Sequence, residues 1–217
     1  KGEYVGESRD ADRILASVSP YIDADDCKHI ERIINQGCPS QLDFEEDYEN
    51  KHTVLRRGNQ ITFLEHPAVT AKAMNKEEKN SHVLPFKSWV VHFSPYCRAT
   101  PQGICKKYGK FRVIFDSSTQ SSPDEVVLNH VTPTDQEAPI DFGTAKRKLL
   151  TNIYNWRVSF PNEVIYLALA DITACFRFPR ISADVTGAFG FLAETLYFIS
   201  SSHVFGSNTS ASSWEAF

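Results

Sequence analysis

The sequence predicts an α+β fold in which a mixed, largely antiparallel sheet carries helices packed on one side. Three observations indicate this class. Residues 104–115 read as two strands joined at Tyr108-Gly109, which is typical of a β-hairpin. Apolar residues at three- and four-residue steps follow Asp141, and this spacing predicts a helix. The almost wholly apolar run from Val164 to Leu169 predicts a short buried strand that ends at Asp171.

The elements of the first half follow from caps, turns and periodicity. Asp23 is placed to cap a helix that Gly37 and Pro39 end. An acidic loop is expected over residues 40–52. The remaining expected elements are a hairpin over Val54 to Phe63 turning near Gly58, a helix from Pro67 to Lys79, and a strand over Trp89 to Phe93.

The second half continues with a Ser-, Thr- and Pro-rich loop over 117–139 and a core strand or strand pair over 188–199. Three regions result: an acidic N-terminal segment over 1–64, a second region over 65–140, and a third over 141–217.

Bulk composition limits the class of protein. The 217 residues are 41% hydrophobic and 12% aromatic, as in ordinary globular proteins. The sequence shows neither an apolar run long enough to span a bilayer nor a signal-peptide pattern, so we expect a soluble, intracellular protein, nuclear or cytoplasmic. Five cysteines at irregular spacing, without a CxxC pair, favour reduced thiols over a disulfide framework or a zinc site.

Charge is distributed unevenly. Residues 1–50 hold 13 acidic and 5 basic side chains, whereas 51–217 hold 14 acidic and 18 basic. The segment from Pro85 to Phe115 has six basic side chains and no acid. Such a segment favours a surface that meets phosphates, although a merely solvated basic face has the same composition.

Four motifs in order resemble one family, the reverse transcriptases (RNA-directed DNA polymerases) of retroelements. Lys110-Phe111-Arg112 leading to Asp116 is similar to the fingers hairpin of that family. Asn129, with the helix after Asp141, resembles the connector between fingers and palm. Asp171, with Phe176 five residues on, is similar to the first catalytic palm motif, and Phe205-Gly206 resembles the next motif. The resemblance covers roughly residues 65–217 and implies fingers over 65–140 and a partial palm over 141–217 of a right-hand polymerase. The implied palm sheet would lack its central hairpin, so we expect it to leave an apolar face or an unpaired strand edge that a protein partner would cover.

The resemblance implies a role for each of these residues. Asp171 would be catalytic and, with the carbonyl of Ile172, would bind Mg²⁺, which prefers hard oxygen ligands. Lys106 and Lys107 would bind nucleic acid. The residues expected to bind a deoxynucleoside triphosphate are Lys110, Arg112, Asp116, Phe176, Phe205 and Gly206.

Each role has a plainer alternative that the residues leave open. Asp171 could be a turn or cap residue, and Lys110 with Arg112 could lie on an exposed strand face. Phe176, implied by the resemblance to exclude a 2′-hydroxyl, could be a core aromatic. Gly206, implied to allow close backbone approach to a base, could be a turn glycine.

The chain also departs from the family pattern. It has no Asp-Asp after Asp26, although the palm takes its second carboxylates from a Tyr-x-Asp-Asp hairpin. One carboxylate cannot hold two metal ions, so we expect this chain alone not to polymerise on a template-primer. Two functions stay open: a fragment of such a polymerase, or a non-catalytic relative acting as a binding or structural subunit of a larger assembly. A small-molecule hydrolase lacks its motifs, G-x-S-x-G and HExxH.

Overall fold

The chain combines helices with antiparallel strands. A computed structural model describes residues 11–38, 42, 48–123, 125–132, 144–168, 177 and 179–207. The helices are α1 (Ala11–Val18), α2 (Ala24–Gln36), α3 (Tyr48–Arg57), α4 (Ile61–Leu64), α5 (Pro67–Lys79), α6 (Val90–Phe93) and α7 (Ala145–Ser159). The strands are β1 (Val83–Lys87), β2 (Gln102–Lys107), β3 (Lys110–Phe115), β4 (Gly190–Ala193) and β5 (Leu196–Ser200).

The two helices predicted in the first half of the chain are confirmed. The Asp23 carboxylate accepts hydrogen bonds from the backbone N–H groups of Asp25 and Asp26, both at 2.9 Å, and so caps α2. Gly37 ends this helix at φ 85°, and a Cβ there would lie 2.7 Å from the backbone of Ile181. Helix α5 begins at Pro67, in the first turn where proline is tolerated.

The strands form two antiparallel sheets. In the first, β5 lies between β1 and β4, with Val83 opposite Ser200 and Gly190 opposite Ile199. The second is the predicted hairpin of β2 and β3, with Lys107 opposite Lys110. The core strand or strand pair predicted over 188–199 is the pair of β4 and β5, whereas β1 and α1 were not predicted.

Helices cover both faces of the three-stranded sheet, so the prediction of helices on one side is wrong. Phe198 points into the larger core, which contains Phe63 of α4 and Met74 of α5. The neighbouring Tyr197 points into a second core that contains Val91 of α6, with Leu55 of α3 packed against it. Because side chains alternate along a strand, both faces of β5 are buried.

The hairpin predicted over Val54 to Phe63 is wrong, because this segment forms the end of α3 and then α4. Gly58, at φ 67°, donates its backbone N–H to the carbonyl of Val54 at 3.1 Å and ends α3. A glycine at a helix end and one at a hairpin turn adopt the same left-handed backbone. The acidic loop expected over 40–52 is wrong from Tyr48 onward, where α3 begins.

The strand predicted over Trp89 to Phe93 is also wrong, because Val90–Phe93 is helix α6. In a strand the side chains of residues 89, 91 and 93 would share one face. Here Val91 is fully buried while Trp89 and Phe93 point outward, as positions four residues apart do on a helix.

Residues 164–168 form no strand, which corrects the prediction of a buried strand there. Val164, Tyr166 and Leu167 are each more than two-thirds exposed. The predicted helix before them exists as α7, from Ala145, and it has no buried residue. Asp141 and residues 169–176 lie outside the described residues, so the structure does not test the cap or the end of that segment.

Candidate functional site

The predicted hairpin places its basic side chains around an exposed two-residue turn. Tyr108 and Gly109 adopt φ values of 51° and 73°, the left-handed pair that a tight hairpin turn requires. Lys107 and Lys110 face each other beside the turn, and Arg112 lies opposite Cys105. All of these side chains are exposed.

Strand alternation assigns the basic residues to two different faces. Lys107, Lys110 and Arg112 share one face, which we call the basic face. Lys106 lies on the opposite face, where its Nζ sits 5.4 Å from the centroid of the Phe111 ring. Lys106 and Lys107, both predicted to bind nucleic acid, therefore lie on opposite faces of the hairpin. None of the described acidic side chains forms an ion pair with the basic face.

Asp116 follows β3 at the base of the basic face. Its carboxylate accepts hydrogen bonds from the side-chain amide of Gln60 and, at 3.1 Å, from the backbone N–H of Thr119. The same Gln60 lies against Gly103, where a Cβ would overlap its Oε1. The carboxylate of Asp116 therefore links Gln60 to Thr119 at the end of β3, where the basic face ends.

Phe205 and Gly206 pass directly behind the end of β3. The backbone N–H of Phe115 donates to the carbonyl of Phe205 at 3.4 Å. Gly206 has φ 118°, and a Cβ there would overlap the carbonyl oxygen of Phe115. Glycine is required here both by the backbone conformation and by close approach to another chain segment. Phe205 itself is 65% exposed.

Asn129 connects the segment of Phe205 and Gly206 to the segment that follows Asp116. Its side-chain amide donates to the carbonyl of Gly206 at 2.9 Å and to the hydroxyl of Ser118 at 2.7 Å. Its backbone N–H donates to the carbonyl of Ser117 at 3.0 Å. Three of the four motifs quoted from the sequence, separated by up to 90 residues, thus meet around the end of β3.

Sequence reasoning missed the ion pair of Arg57 and Glu125, which supports this meeting point. The Arg57 guanidinium lies 3.0 Å and 2.9 Å from the two oxygens of Glu125, whose side chain is fully buried. Arg57 also donates to the carbonyl of Thr119 at 3.0 Å and to the hydroxyl of Ser121 at 2.8 Å. It thereby ties the segment that carries Ser118 and Asn129 to α3. No signal in the sequence links two charges 68 residues apart.

A second charge network, partly buried, surrounds Arg177. Its guanidinium pairs with Glu77 at 3.1 Å and donates to the hydroxyl of Ser200 at 3.0 Å and the carbonyl of His203 at 3.2 Å. Burial tends to raise the pKa of the Glu77 carboxyl. The hydrogen bond with His82 and the charge of Arg177 outweigh it and hold that pKa below its usual value.

His203 is the least satisfied member of this region. It is fully buried, and neither ring nitrogen has a hydrogen-bond partner among the described residues. Burial, together with the nearby charge of Arg177, lowers the pKa of His203 to about 4. The ring is therefore neutral at physiological pH.

The predicted catalytic and metal residues Asp171 and Ile172, and the predicted nucleotide contact Phe176, lie outside the described residues. Among the described residues, no three His, Cys, Asp or Glu side chains are grouped so that they could hold a metal ion. In the same part of the chain, no helix is both long and apolar enough to cross a membrane.

No protein-family model matches the chain, and no curated protein matches it. Two solved structures are similar to it, both of the foamy viral protease-reverse transcriptase in complex with double-stranded DNA. One, of the dRH form, is 9% identical with a TM-score of 0.40, and the match covers 97% of this chain and 34% of the solved chain. The other is 13% identical with a TM-score of 0.42, and the match covers 96% of this chain and 41% of the solved chain. The chain thus spans well under half the length of these solved chains, and likeness at this level establishes neither a shared family nor a shared activity.

Proposed function

We propose that the chain is part of an RNA-directed DNA polymerase of retroelement type, comprising fingers and a partial palm. Its basic face would bind the phosphates of a deoxynucleoside triphosphate and of the template-primer. Residues 65–140 would be the fingers and residues 141–217 the partial palm.

The observation that carries the proposal is the bridge that Asn129 makes between Gly206 and Ser118. The resemblance assigns the Lys-Phe-Arg strand and the Phe-Gly motif to one nucleotide site and places Asn129 in the connector between fingers and palm. A chance similarity of short motifs gives no reason for them to be adjacent. Their convergence supports the polymerase interpretation more than any one motif does.

The chemistry of the basic face suits a polyphosphate. Arg112 presents a planar fork of donors that matches two phosphate oxygens, and Lys107 and Lys110 supply point charges. Lys110 and Arg112 are two residues apart on β3, so their Cα atoms are separated by about 7 Å. This separation lets both side chains reach one triphosphate.

Asp171 and the carbonyl of Ile172 would hold Mg²⁺, and Phe176 would lie beneath the sugar. When bound, the metal would neutralise charge that develops on the phosphates during nucleotidyl transfer. Asp116 would act indirectly, because Gln60 and Thr119 already engage its carboxylate. We therefore assign it to positioning the end of β3 beside the nucleotide.

Equilibrium binding of a fluorescent deoxynucleoside triphosphate tests the proposal. Arg112→Ala should weaken binding on the order of tenfold or more, because charged hydrogen bonds contribute about 1.5–3 kcal/mol each. Arg112→Lys should recover part of the loss, since it keeps the charge without the fork. Lys72→Ala, an exposed cation on α5, is the matched control and should bind as the wild type does. Equal affinity of wild type and Arg112→Ala would contradict the proposal.

A non-catalytic binding or structural subunit is the second candidate, and α7 favours it. Leu149, Tyr154 and Trp156 are each more than half exposed on a helix without a buried residue. Exposed apolar surface of this kind marks protein interaction sites. A protein partner that protects α7 from hydrogen exchange, combined with no triphosphate binding, would select this candidate over the polymerase.

A further inference from the structure

We propose that Trp89 and Phe93 form a stacking platform for the bases of a single-stranded nucleic acid. Trp89 immediately precedes α6 and Phe93 ends it, so the platform is separate from the hairpin and from the contacts of Asn129. This inference rests on the proposed function in one respect: it takes the partner of this region to be nucleic acid.

The aromatic rings are presented outward although α6 is firmly packed. Trp89 is 56% exposed and Phe93 is 78% exposed. Val91, which lies between them, is fully buried against Tyr197 in the second core. The inward face of α6 is therefore already packed, and the rings of Trp89 and Phe93 do not contribute to the core.

The segment that follows the platform is fixed by buried polar groups. The amine of Lys51, itself buried, donates to the carbonyl of Ser94 at 2.5 Å, at the end of α6. The Tyr197 hydroxyl donates to the carbonyl of Arg98 at 2.7 Å. Because the backbone after α6 is held at both of these points, it loses little conformational entropy when a ligand binds. This rigidity favours a binding role for the two exposed rings.

Ring geometry leaves room for a base. Trp89 and Phe93 meet edge to face, with ring centroids 6.0 Å apart and an interplanar angle of 67°. In this arrangement one ring presents its edge to the other, so ring faces stay available to a third aromatic group. Nucleobases stack on such faces whatever their sequence.

The charges around the platform favour a polyanion. Lys87 lies two residues before Trp89, and α3 meets α6 where the rings of His52 and His92 stack, with centroids 5.9 Å apart. Arg56 reaches the carbonyl of His52 at 3.3 Å. The sequence from Pro85 to Phe115 contains no acid. Aromatic faces combined with cations are the features by which single-strand binding proteins hold their ligand, whereas a purely apolar partner would gain nothing from these charges.

The test is equilibrium binding of the full chain to a fluorescent oligodeoxythymidylate of roughly 16 nucleotides, near the upper site size of one single-strand binding module. Trp89→Ala and Phe93→Ala should each weaken binding on the order of tenfold, because a base then has one ring fewer to stack on. Trp89→Phe should retain most of the affinity, since it keeps a ring face. Tyr21→Ala, an aromatic residue 86% exposed between α1 and α2, should change nothing.

The salt dependence of oligonucleotide binding distinguishes the contribution of base stacking from that of the cations. The salt dependence of binding should be the same in Trp89→Ala as in the wild type, because every cation that meets a phosphate is still present. A charge reversal on the basic face, such as Lys107→Glu, should instead flatten it. If Lys107→Glu weakens binding and both platform variants bind as the wild type does, the platform is wrong while the proposed function stands. If the wild type binds no oligonucleotide, both are wrong, and a protein ligand becomes the better explanation for the exposed rings.

Discussion

The Arg57 guanidinium lies over the fully buried carboxylate of Glu125, within 3.0 Å of both oxygens. This pair fixes the segment between β3 and Asn129, on which the candidate site depends. Removing one partner leaves a charge without its counterpart, whereas removing both does not.

Glu125→Gln should therefore destabilise the protein by roughly 3 kcal/mol, the lower end for a broken buried pair, because Arg57 is partly exposed. The double variant Arg57→Met with Glu125→Gln should recover much of that loss. Urea unfolding at neutral pH measures both. A double variant less stable than Glu125→Gln would show that the pair does not act as a unit.

Gly206→Ala should destabilise the protein more than Gly58→Ala does. Both glycines have positive φ, so each substitution carries a backbone cost, about 1–2 kcal/mol in the left-handed helical region of Gly58 and at least as much at Gly206, whose φ of 118° lies outside that region. Only at Gly206 would the new Cβ meet another atom, the Phe115 carbonyl oxygen, which adds roughly 1–3 kcal/mol of overpacking. Thermal unfolding compares the two variants, and equal costs would mean that Phe205 and Gly206 are not seated against β3.

Stability should fall as pH is lowered from about 6.5 to about 4, because the folded state keeps His203 neutral while the unfolded chain takes up a proton. The depressed pKa corresponds to a loss of roughly 3 kcal/mol across this window. The stabilisation from Glu77 has a different window: its carboxyl pKa is lowered from 4.5, so that contribution is lost only as pH falls through the folded-state value.

His203→Leu isolates the histidine contribution. The slope of unfolding free energy against pH above about 4.5 should flatten in this variant, whatever its stability at neutral pH. Urea titrations at several pH values provide the slope. An unchanged slope would mean that His203 is protonated in the folded protein or that another group dominates.

The two faces of the hairpin should differ in their contribution to nucleic-acid binding. Lys107→Glu with Lys110→Glu should weaken binding and reduce the salt slope by roughly one for each phosphate that the variant no longer neutralises. Lys106→Glu, on the opposite face beside Phe111, is the matched control and should have a smaller effect. Fluorescence anisotropy at about 50 mM and about 200 mM salt measures both the affinity and the slope. Equal effects of the two changes would contradict the assignment of a single basic face.

Local signals predicted the elements that local chemistry specifies. Asp23 caps α2 with its side chain, Gly37 ends that helix, Pro67 opens α5, and Gly109 turns the hairpin, each through a property that the residue itself carries. The family resemblance grouped Asp116, Phe205 and Gly206 as residues expected to bind a nucleotide, and Phe205 and Gly206 lie against Phe115, at the end of β3.

The errors arose where a local signal fits two structures. Gly58 serves a helix end as readily as a hairpin turn, and the short run Val90-Val91 has no length from which to tell a helix period from a strand period. Long-range pairs such as Arg57 with Glu125 depend on tertiary packing and leave no trace in either neighbourhood. The burial of Lys51 likewise leaves no local signal, because this charged residue, 2% exposed, donates to the carbonyl of Ser94 far along the chain.

Titration of the wild type, Asp171→Ala and Arg112→Ala with a deoxynucleoside triphosphate, with and without Mg²⁺, tests the central claim most directly. Our account predicts that the wild type binds the triphosphate more tightly with Mg²⁺, that Asp171→Ala loses the dependence on metal, and that Arg112→Ala binds weakly under both conditions. Binding that is indifferent to Mg²⁺ and unchanged by Asp171→Ala would contradict it.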